Sequence, residues 1–203
     1  MKKPAPVLCL LSLSLAITLQ ACSQGGESSD TGGAVTNTEA RAVYEASQAD
    51  MKANGLGALA THMHPTALAD FKNSLVPLFS QMAADPAGAQ SPLFETYRNR
   101  DSALNFQEMD PAVFFQGFTD MLDSQMPDFG KALAERDVQV LGEVDEGDSL
   151  VHLLTRNTMT MAGQIDQRLT IVTLINSGDG WKMGLSNEID GMAGALRQQF
   201  MRR

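Results

Sequence analysis

The sequence predicts an α+β domain: N-terminal helices pack on a curved, four-stranded antiparallel meander, and a C-terminal amphipathic helix follows. Within residues 137–186, four stretches of alternating apolar residues are typical of strands with one buried face. Breaks at 145–148, 162–163 and 177–180 separate these stretches, and each break holds a glycine and an even number of residues. Apolar residues at helical spacing lie before and after this region. The order of elements therefore indicates helices first and the sheet afterwards.

Even loop lengths predict the register of the sheet. If each break closes a simple hairpin, the expected pairs are Val144 with Ser149, Met161 with Gln164 and Asn176 with Trp181. Alternation then places a wholly apolar set of side chains on the inner face. This set is Val138, Val140, Val144, Val151, Leu153, Val172, Leu174, Trp181, Met183 and Leu185.

The opposite face of the sheet is also rich in apolar side chains. Left bare, they would form a patch large enough to need a cover. These residues are Leu150, Leu154, Leu169, Ile171 and Ile175. Two covers are available: the terminal helix, placing Leu196 and Phe200 on the sheet, or a second copy of the chain in a homodimer through this face.

Capping residues and prolines predict the helices. Thr38 is an N-cap for a helix to about Asn54, and a second helix starts at Pro65 and ends or kinks at Pro77. A short helix is expected over 93–100. Asp110 and Pro111 form an N-cap and N1 pair for a helix that Pro127 closes, with a further turn or two over 129–135. The terminal helix has its apolar stripe at Ile189, Met192, Ala193, Leu196 and Phe200.

The first residues have the pattern of a secretory signal: Lys2 and Lys3 precede an apolar run over 7–19 that ends at Gln20. The residues that follow, Leu19-Gln20-Ala21-Cys22, resemble the lipobox of bacterial lipoproteins. The resemblance implies that residues 1–21 are removed and that Cys22 is lipidated with acyl chains. Ser23 after the cysteine resembles the pattern that sorts such proteins to the outer membrane.

The lipobox sets the expected organisation of the chain. Residues 22–37 are rich in Gly, Ser and Thr and are expected to form a flexible tether, with residues 38–203 as one domain. We therefore expect a cell-envelope protein, anchored through Cys22 in the outer membrane and facing the periplasm. Cys9 and Cys22 are the two cysteines, so the domain holds no thiol for catalysis or metal binding. With 24 acidic and 15 basic residues, the chain is not expected to bind nucleic acid.

The order of elements, together with Met63-His64-Pro65 after the first helix and Gly180-Trp181-Lys182 in the last strand, resembles the cone-shaped superfamily of nuclear transport factor 2 and ketosteroid isomerase. The resemblance implies a cone-like fold with a cavity between helices and sheet. Its enzymes place Tyr, Asp or His inside this cavity, while many other members bind ligands without catalysis.

The sequence supports three hypotheses on function. The first is a non-catalytic domain that binds a small ligand or a protein partner. The second is an isomerase-like or dehydratase-like enzyme that uses Tyr44 or Asp166, and the third is a structural adaptor of an envelope assembly. No cofactor is expected, and His62 and His64 lack a third ligand for a metal. The candidate pocket residues are Tyr44, Phe114, Phe118, Asn157, Met159, Asp166, Arg168 and Trp181.

Overall fold

The computed structural model describes residues 37–161, 163–186, 189–191, 193–194 and 198. Helices precede the strands, as the sequence predicts. The α-helices are α1 Thr38–Asn54, α2 Pro65–Ala84, α3 Pro86–Ala89, α4 Glu95–Arg98, α5 Pro111–Gln125 and α6 Pro127–Ala134, with 3-10 helices at Leu56–Thr61 and Pro92–Phe94. The strands are β1 Asp137–Asp145, β2 Leu150–Met161, β3 Gln164–Asn176 and β4 Trp181–Met183.

The four strands form one antiparallel sheet in the order β1-β2-β3-β4, which confirms the meander. Two of the predicted hairpin registers are also confirmed, because Met161 pairs with Gln164 and Asn176 pairs with Trp181. The fold is therefore α+β with helices followed by a four-stranded antiparallel sheet.

The predicted register of the first hairpin is wrong. Val144 pairs with His152 rather than with Ser149. The pairing shifts between Val140 and Gly142, as it does at a β-bulge, where one extra residue reverses which face the following side chains occupy. Val144 consequently lies on the outer face with 61% of its surface exposed, although the alternation predicts it in the core.

The inner face of the sheet carries the predicted apolar core. Val151, Leu153 and Leu174 are fully buried, and Trp181 and Met183 are nearly so. α1 packs against β4, and α6 packs against β2. Besides Val144, the rest of the predicted inner set lies at this face, with Val138, Val140 and Leu185 partly buried.

A cluster of aromatic rings forms the core of the helices. α2 packs against α5, and rings from α2, α5 and the segment between them meet with centroids 5.0 to 6.4 Å apart. Most of these contacts are edge-to-face, which suits the charge distribution of aromatic rings. The cluster consists of Phe71, Phe79, Phe94, Tyr97, Phe106, Phe114, Phe115 and Phe118.

One predicted helix signal needs correction. The N-cap of α1 is Asn37, whose side chain accepts a hydrogen bond from the Ala40 N–H, and Thr38 is the first helical residue. Of the two alternatives predicted for Pro77, an end of the helix is wrong, because α2 continues to Ala84. Because Leu75 and Phe79 on either side of Pro77 are both fully buried, core packing compensates for the backbone hydrogen bond that proline cannot donate. The N-cap at Asp110 is confirmed, since its carboxylate accepts from the Ala112 and Val113 N–H groups.

Part of the predicted C-terminal helix lies outside the described residues, including Met192, Leu196 and Phe200. The described part of this segment includes Ile189 and Ala193. Ala193 is fully buried in the core cluster, and Ile189 packs against it. The signal, the lipobox and Cys22 also lie outside the described residues, and no helix in the described ranges has the length and apolar character that a membrane crossing requires.

Candidate functional site

The side chains predicted to line one cavity do not come together in the structure. Trp181 pairs with Asn176 at one end of the sheet, whereas Met159 pairs with Asp166 near the other end. The 10 residues that separate Asp166 from Asn176 along β3 correspond to roughly 33 Å of strand. Trp181 and Met159 therefore cannot line the same cavity, because residues on one face of a strand can still be far apart along it.

Asn157, Met159, Asp166 and Arg168 do form a group at the far end of β2 and β3, where Asn157 pairs with Arg168 and Met159 with Asp166. The Asn157 amide donates to Thr170 Oγ1 at 3.0 Å and is buried. Arg168 Nε lies 2.7 Å from Asp166 Oδ2, and 71% of the Arg168 side chain is exposed. Beyond the buried Asn157, this end of the inner face is solvated, and Asp166 and Arg168 form an ion pair there.

The remaining predicted pocket residues are packed into the core. Phe114 and Phe118 both contact Phe71 in the aromatic cluster, at centroid distances of 6.2 and 5.0 Å. Tyr44 is buried on α1, the helix that packs against β4. α5, the helix that carries Phe114 and Phe118, packs on α2 and on the 3-10 helix Leu56–Thr61.

A surface groove of about 420 Å³ lies beside Trp181. Its rim carries the carboxylates of Glu39, Asp145 and Asp148. The nearby Glu143 carboxylate accepts from the Asn37 N–H at 2.5 Å, which fixes the start of α1 against β1. The carboxylates make the groove attractive to cations, but no group of three or more His, Asp, Glu or Cys side chains in the described ranges is arranged to hold a metal ion.

A second groove, of about 310 Å³, lies at the end of the helical layer. Its lining is mostly small side chains between α2 and the loop before Phe106. Arg98 is its cationic group, but its guanidinium is used structurally because it donates to the carbonyl oxygens of Ala89 and Ser91 at 2.5 and 3.1 Å. The cationic group of this groove is therefore already engaged by the fold.

His62, which the sequence places in a possible metal pair with His64, has a different role. Its Nε2 lies 2.9 Å from Asp50 Oδ2, so that the imidazole ties the segment after the Leu56–Thr61 helix to α1. Hydrogen bonds from Asn54 and then from His62 lower the pKa of Asp50 below its usual value. His64 caps α2, because its Nδ1 accepts from the Thr66 N–H at 3.2 Å. The two imidazoles therefore serve the local fold.

The most unusual surface is the outer face of the sheet, where large apolar side chains stand in solvent. We define the outer sheet face by five residues whose exposed fractions run from 40% to 74%. They are Val144, Leu154, Ile165, Leu169 and Ile171. Leu154 pairs with Ile171, which lies two residues from Leu169 along β3, and Val144 is the diagonal neighbour of Leu154, so that these four side chains are contiguous. Ile165 lies further along the same face, where it pairs with Thr160.

The sequence predicted Leu154, Leu169 and Ile171 on this face, but it missed two members. Val144 reaches the face through the bulge in β1, which no simple alternation anticipates. Ile165 lies next to the turn after β2 and pairs with Thr160. The sequence signal for Ile165 is a β-branched side chain at an odd-numbered position of β3, on the same face as Leu169, Ile171 and Ile175.

No known family model, curated protein or solved structure matches this chain.

Proposed function

We propose that this chain is a lipid-anchored lipoprotein of the bacterial cell envelope whose domain docks a folded envelope protein through the outer sheet face, without catalysis. The observation that carries this proposal is the exposure of Val144, Leu154, Leu169 and Ile171, which are neighbours on one face of the sheet. These side chains present on the order of several hundred Å² of apolar surface, the size at which an exposed patch marks an interaction site.

A protein partner fits this surface better than a small molecule does. Small ligands are usually held in concave sites that enclose most of their surface. The outer sheet face is instead built on regular pairing of β2 with β3 and presents its side chains outward. At about 25 cal/mol per Å², covering 300 Å² of it contributes roughly 7 kcal/mol before ordering costs, so that polar contacts around this apolar centre would supply the rest of the binding free energy.

The lipid anchor supports the same proposal. Lipidation of Cys22 would hold the domain near the membrane, and the tether of residues 22–37 would span roughly 20 to 25 Å as a coil. The domain would then meet envelope proteins at a high effective concentration, so that a moderate interface is enough. We also propose that the domain is cone-like and that a C-terminal amphipathic helix follows the sheet. An isomerase-like or dehydratase-like activity has no comparable support, since Tyr44 is buried on α1 and Asp166 is paired with Arg168.

The test is site-specific photo-crosslinking in intact cells, with a benzophenone amino acid in place of Ile171 and, as a control, in place of the exposed Asn99 of the helical layer. We expect a crosslinked product with another protein at Ile171 and none at Asn99. Adding Cys22→Ser should move the chain out of the membrane fraction and remove the product. A product of twice the mass of the chain would identify a second copy as the occupant, and equal crosslinking at both positions would refute a specific face.

A further inference from the structure

One edge of the sheet is open over most of its length. β3 has 13 residues, but β4 pairs with only its last three, from Leu174 to Asn176. Beyond these pairs, the Gly184 N–H donates to the Thr173 carbonyl oxygen at 2.7 Å. Over Gln164–Val172 no described strand pairs with this edge, which we call the open β3 edge.

The backbone hydrogen bonds show which residues present their polar groups at the open β3 edge. The Asn176 N–H donates to Ser149 across the β2 side, whereas the Thr173 carbonyl accepts on the β4 side. Because these directions alternate along a strand, the N–H and C=O groups of odd-numbered residues point away from β2. Ile165, Gln167, Leu169 and Ile171 therefore carry the backbone donors and acceptors of this edge.

The other edge of the sheet differs in the features that prevent association. β1 is interrupted by the bulge between Val140 and Gly142, and it carries the acids Asp137, Glu143 and Asp145. Bulges and charges are devices that protect edge strands from pairing with other chains. The open β3 edge is regular, without proline or glycine from Gln164 to Val172, and its large apolar side chains are exposed.

The sequence of the open β3 edge is self-complementary. The run Ile165-Asp166-Gln167-Arg168-Leu169 places an acid and a base symmetrically about Gln167, with one large apolar residue on either side. If two copies pair antiparallel with a two-fold axis at Gln167, Asp166 faces Arg168 of the second copy and Ile165 faces Leu169 of the second copy. Opposite charges and apolar pairs directly across an antiparallel ladder are stabilising.

Neighbouring registers are worse for definite reasons. Moving the two-fold axis by one residue sets Asp166 against Asp166 of the second copy, or Arg168 against Arg168. Like charges directly opposite each other are destabilising. With the axis at Gln167, every outward-pointing N–H and C=O group of Ile165, Gln167 and Leu169 meets an outward-pointing group of the second copy. The backbone groups match in the neighbouring registers as well, so the charges of Asp166 and Arg168 select among the registers that the backbone allows.

The length of the open β3 edge also fits a second copy. In this register Gly163 of the second copy lies opposite Ile171 of the first. Ile171 is two residues before Thr173, whose carbonyl oxygen accepts the hydrogen bond from Gly184 of its own chain. Because Met161 pairs with Gln164, the second chain reverses direction before it reaches β4. The paired β3 strands would join two four-stranded sheets into one of eight strands.

From these observations we infer that two copies of this chain associate edge to edge through β3, with Gln167 on the two-fold axis and Asp166 paired with Arg168 of the second copy. This inference goes beyond the proposed function and does not depend on it, because it uses the edge of the sheet rather than its outer face. In the dimer, Ile165, Leu169 and Ile171 of both copies lie side by side. The outer sheet faces of the two copies then form one larger docking surface.

A charge-swap series on the full chain, purified in detergent, tests this inference by sedimentation. The wild type should be dimeric, and Asp166→Arg or Arg168→Asp should each raise the dimer dissociation constant about tenfold or more, because each sets like charges together. The double variant Asp166→Arg/Arg168→Asp should recover the dimer. The side chains of Arg168 and Asp166 are 71% and 42% exposed, so circular dichroism should show an unchanged fold in all variants. A monomeric wild type, or a double variant that stays monomeric, would overturn the inference.

A disulfide test fixes the register independently. Gln167→Cys should form a disulfide-linked dimer on mild oxidation, because residues in a hydrogen-bonded antiparallel pair have Cα atoms about 5.5 Å apart, within the range that a disulfide spans. Asn99→Cys is the matched control with an exposed cysteine on the helical layer, and the wild type controls for Cys9 and Cys22. Crosslinking of Asn99→Cys to the same extent, or none at Gln167→Cys, would contradict the proposed two-fold axis.

Discussion

The helical layer and the sheet of this domain use their apolar side chains in opposite ways. In the helical layer, eight aromatic rings face one another and each is at least 98% buried. In the sheet, the inner face is buried, while the outer sheet face keeps Ile165 at 74% and Leu169 at 64% exposure. Because exposed apolar side chains add little to folding, the outer sheet face should contribute far less to the stability of the domain than the buried rings of the helical layer. The sheet is then free to present a surface for association.

The largest expected effect is on the ring at the centre of the aromatic cluster. Phe79 is fully buried and contacts Phe94, Tyr97, Phe106 and Phe114 at centroid distances of 5.5 to 5.7 Å. Phe79→Ala should lower the free energy of unfolding by about 3–5 kcal/mol, because it removes transfer energy and leaves a cavity. Urea unfolding followed by circular dichroism measures the loss.

The matched control for this change is Leu169→Ala on the outer sheet face. It removes a side chain of similar apolar character that is mostly in solvent, so the free energy of unfolding should change by about 0.5 kcal/mol or less. Comparable losses for the two variants would mean that the outer sheet face is covered within the monomer. That result would remove the contrast between the two layers.

The second effect concerns the close approach of α5 to Tyr97. A Cβ atom at Gly117 would lie 2.5 Å from Tyr97 Cε1 and 2.8 Å from its Cδ1, and the ring is held by its aromatic neighbours. Gly117→Ala should therefore cost about 1–3 kcal/mol of stability, although alanine is otherwise favoured over glycine in a helix by about 1 kcal/mol. Thermal unfolding should show a clear drop in melting temperature.

Two comparisons isolate this clash. Gly142→Ala in β1 has no atom within 4 Å of the added Cβ, and it should leave the stability nearly unchanged. In a Tyr97→Ala background the clash is absent, so that Gly117→Ala should no longer destabilise and should show the helix preference of alanine. A full loss that persists without the Tyr97 ring would show that the ring is not its cause.

These features divide into those that local sequence determines and those that depend on three-dimensional packing. Strand alternation predicts the meander and the buried Val151, Leu153, Val172 and Leu174, because period-two patterns report directly on the faces of a sheet. The same pattern fails at Val144, since a bulge shifts the face without a distinctive sequence signal. Alternation also gives no information on the position of a residue along a strand, which is why the sequence predicts Trp181 and Met159 in one cavity.

The candidate site shows the same division. Leu169 and Ile171 are predictable members of the outer sheet face, because alternation alone assigns them to it. The open β3 edge is not predictable, because it depends on β4 ending after three residues, at Met183. In the sequence, the apolar alternation of β4 continues from Trp181 through Met183 to Leu185, which gives no sign that the strand stops. Only the structure shows that pairing with β3 ends at the hydrogen bond from Gly184 to Thr173. Clusters such as the eight rings likewise need tertiary structure, because their members lie on separate segments from residue 71 to residue 118.

The smallest expected effect, and the one most specific in its pH dependence, concerns the hydroxyl group within the aromatic cluster. Tyr97 is fully buried, and its hydroxyl donates to the Phe114 carbonyl oxygen at 3.0 Å. Burial raises the pKa of Tyr97 well above its usual value of 10.0, while the nearby Arg100 opposes this shift and Asp120 adds to it. At neutral pH, Tyr97→Phe should lower the free energy of unfolding by about 1 kcal/mol, because it removes one buried hydrogen bond.

At alkaline pH the advantage of the wild type over Tyr97→Phe should shrink. The pKa of Tyr97 is higher in the folded than in the unfolded protein, so its contribution to stability is complete well below pH 10 and is lost as the pH rises through 10 towards the folded pKa. The loss affects the wild type alone, because Tyr97→Phe has no ionisable group at this position. Urea unfolding at pH 7.5, 10 and 11 should therefore show a stability difference that favours the wild type at pH 7.5 and decreases at each higher pH. Tyr44 is present in both proteins, so its own ionisation cancels in the comparison, and a stability difference that stays constant with pH would show that water reaches the Tyr97 hydroxyl in the folded protein.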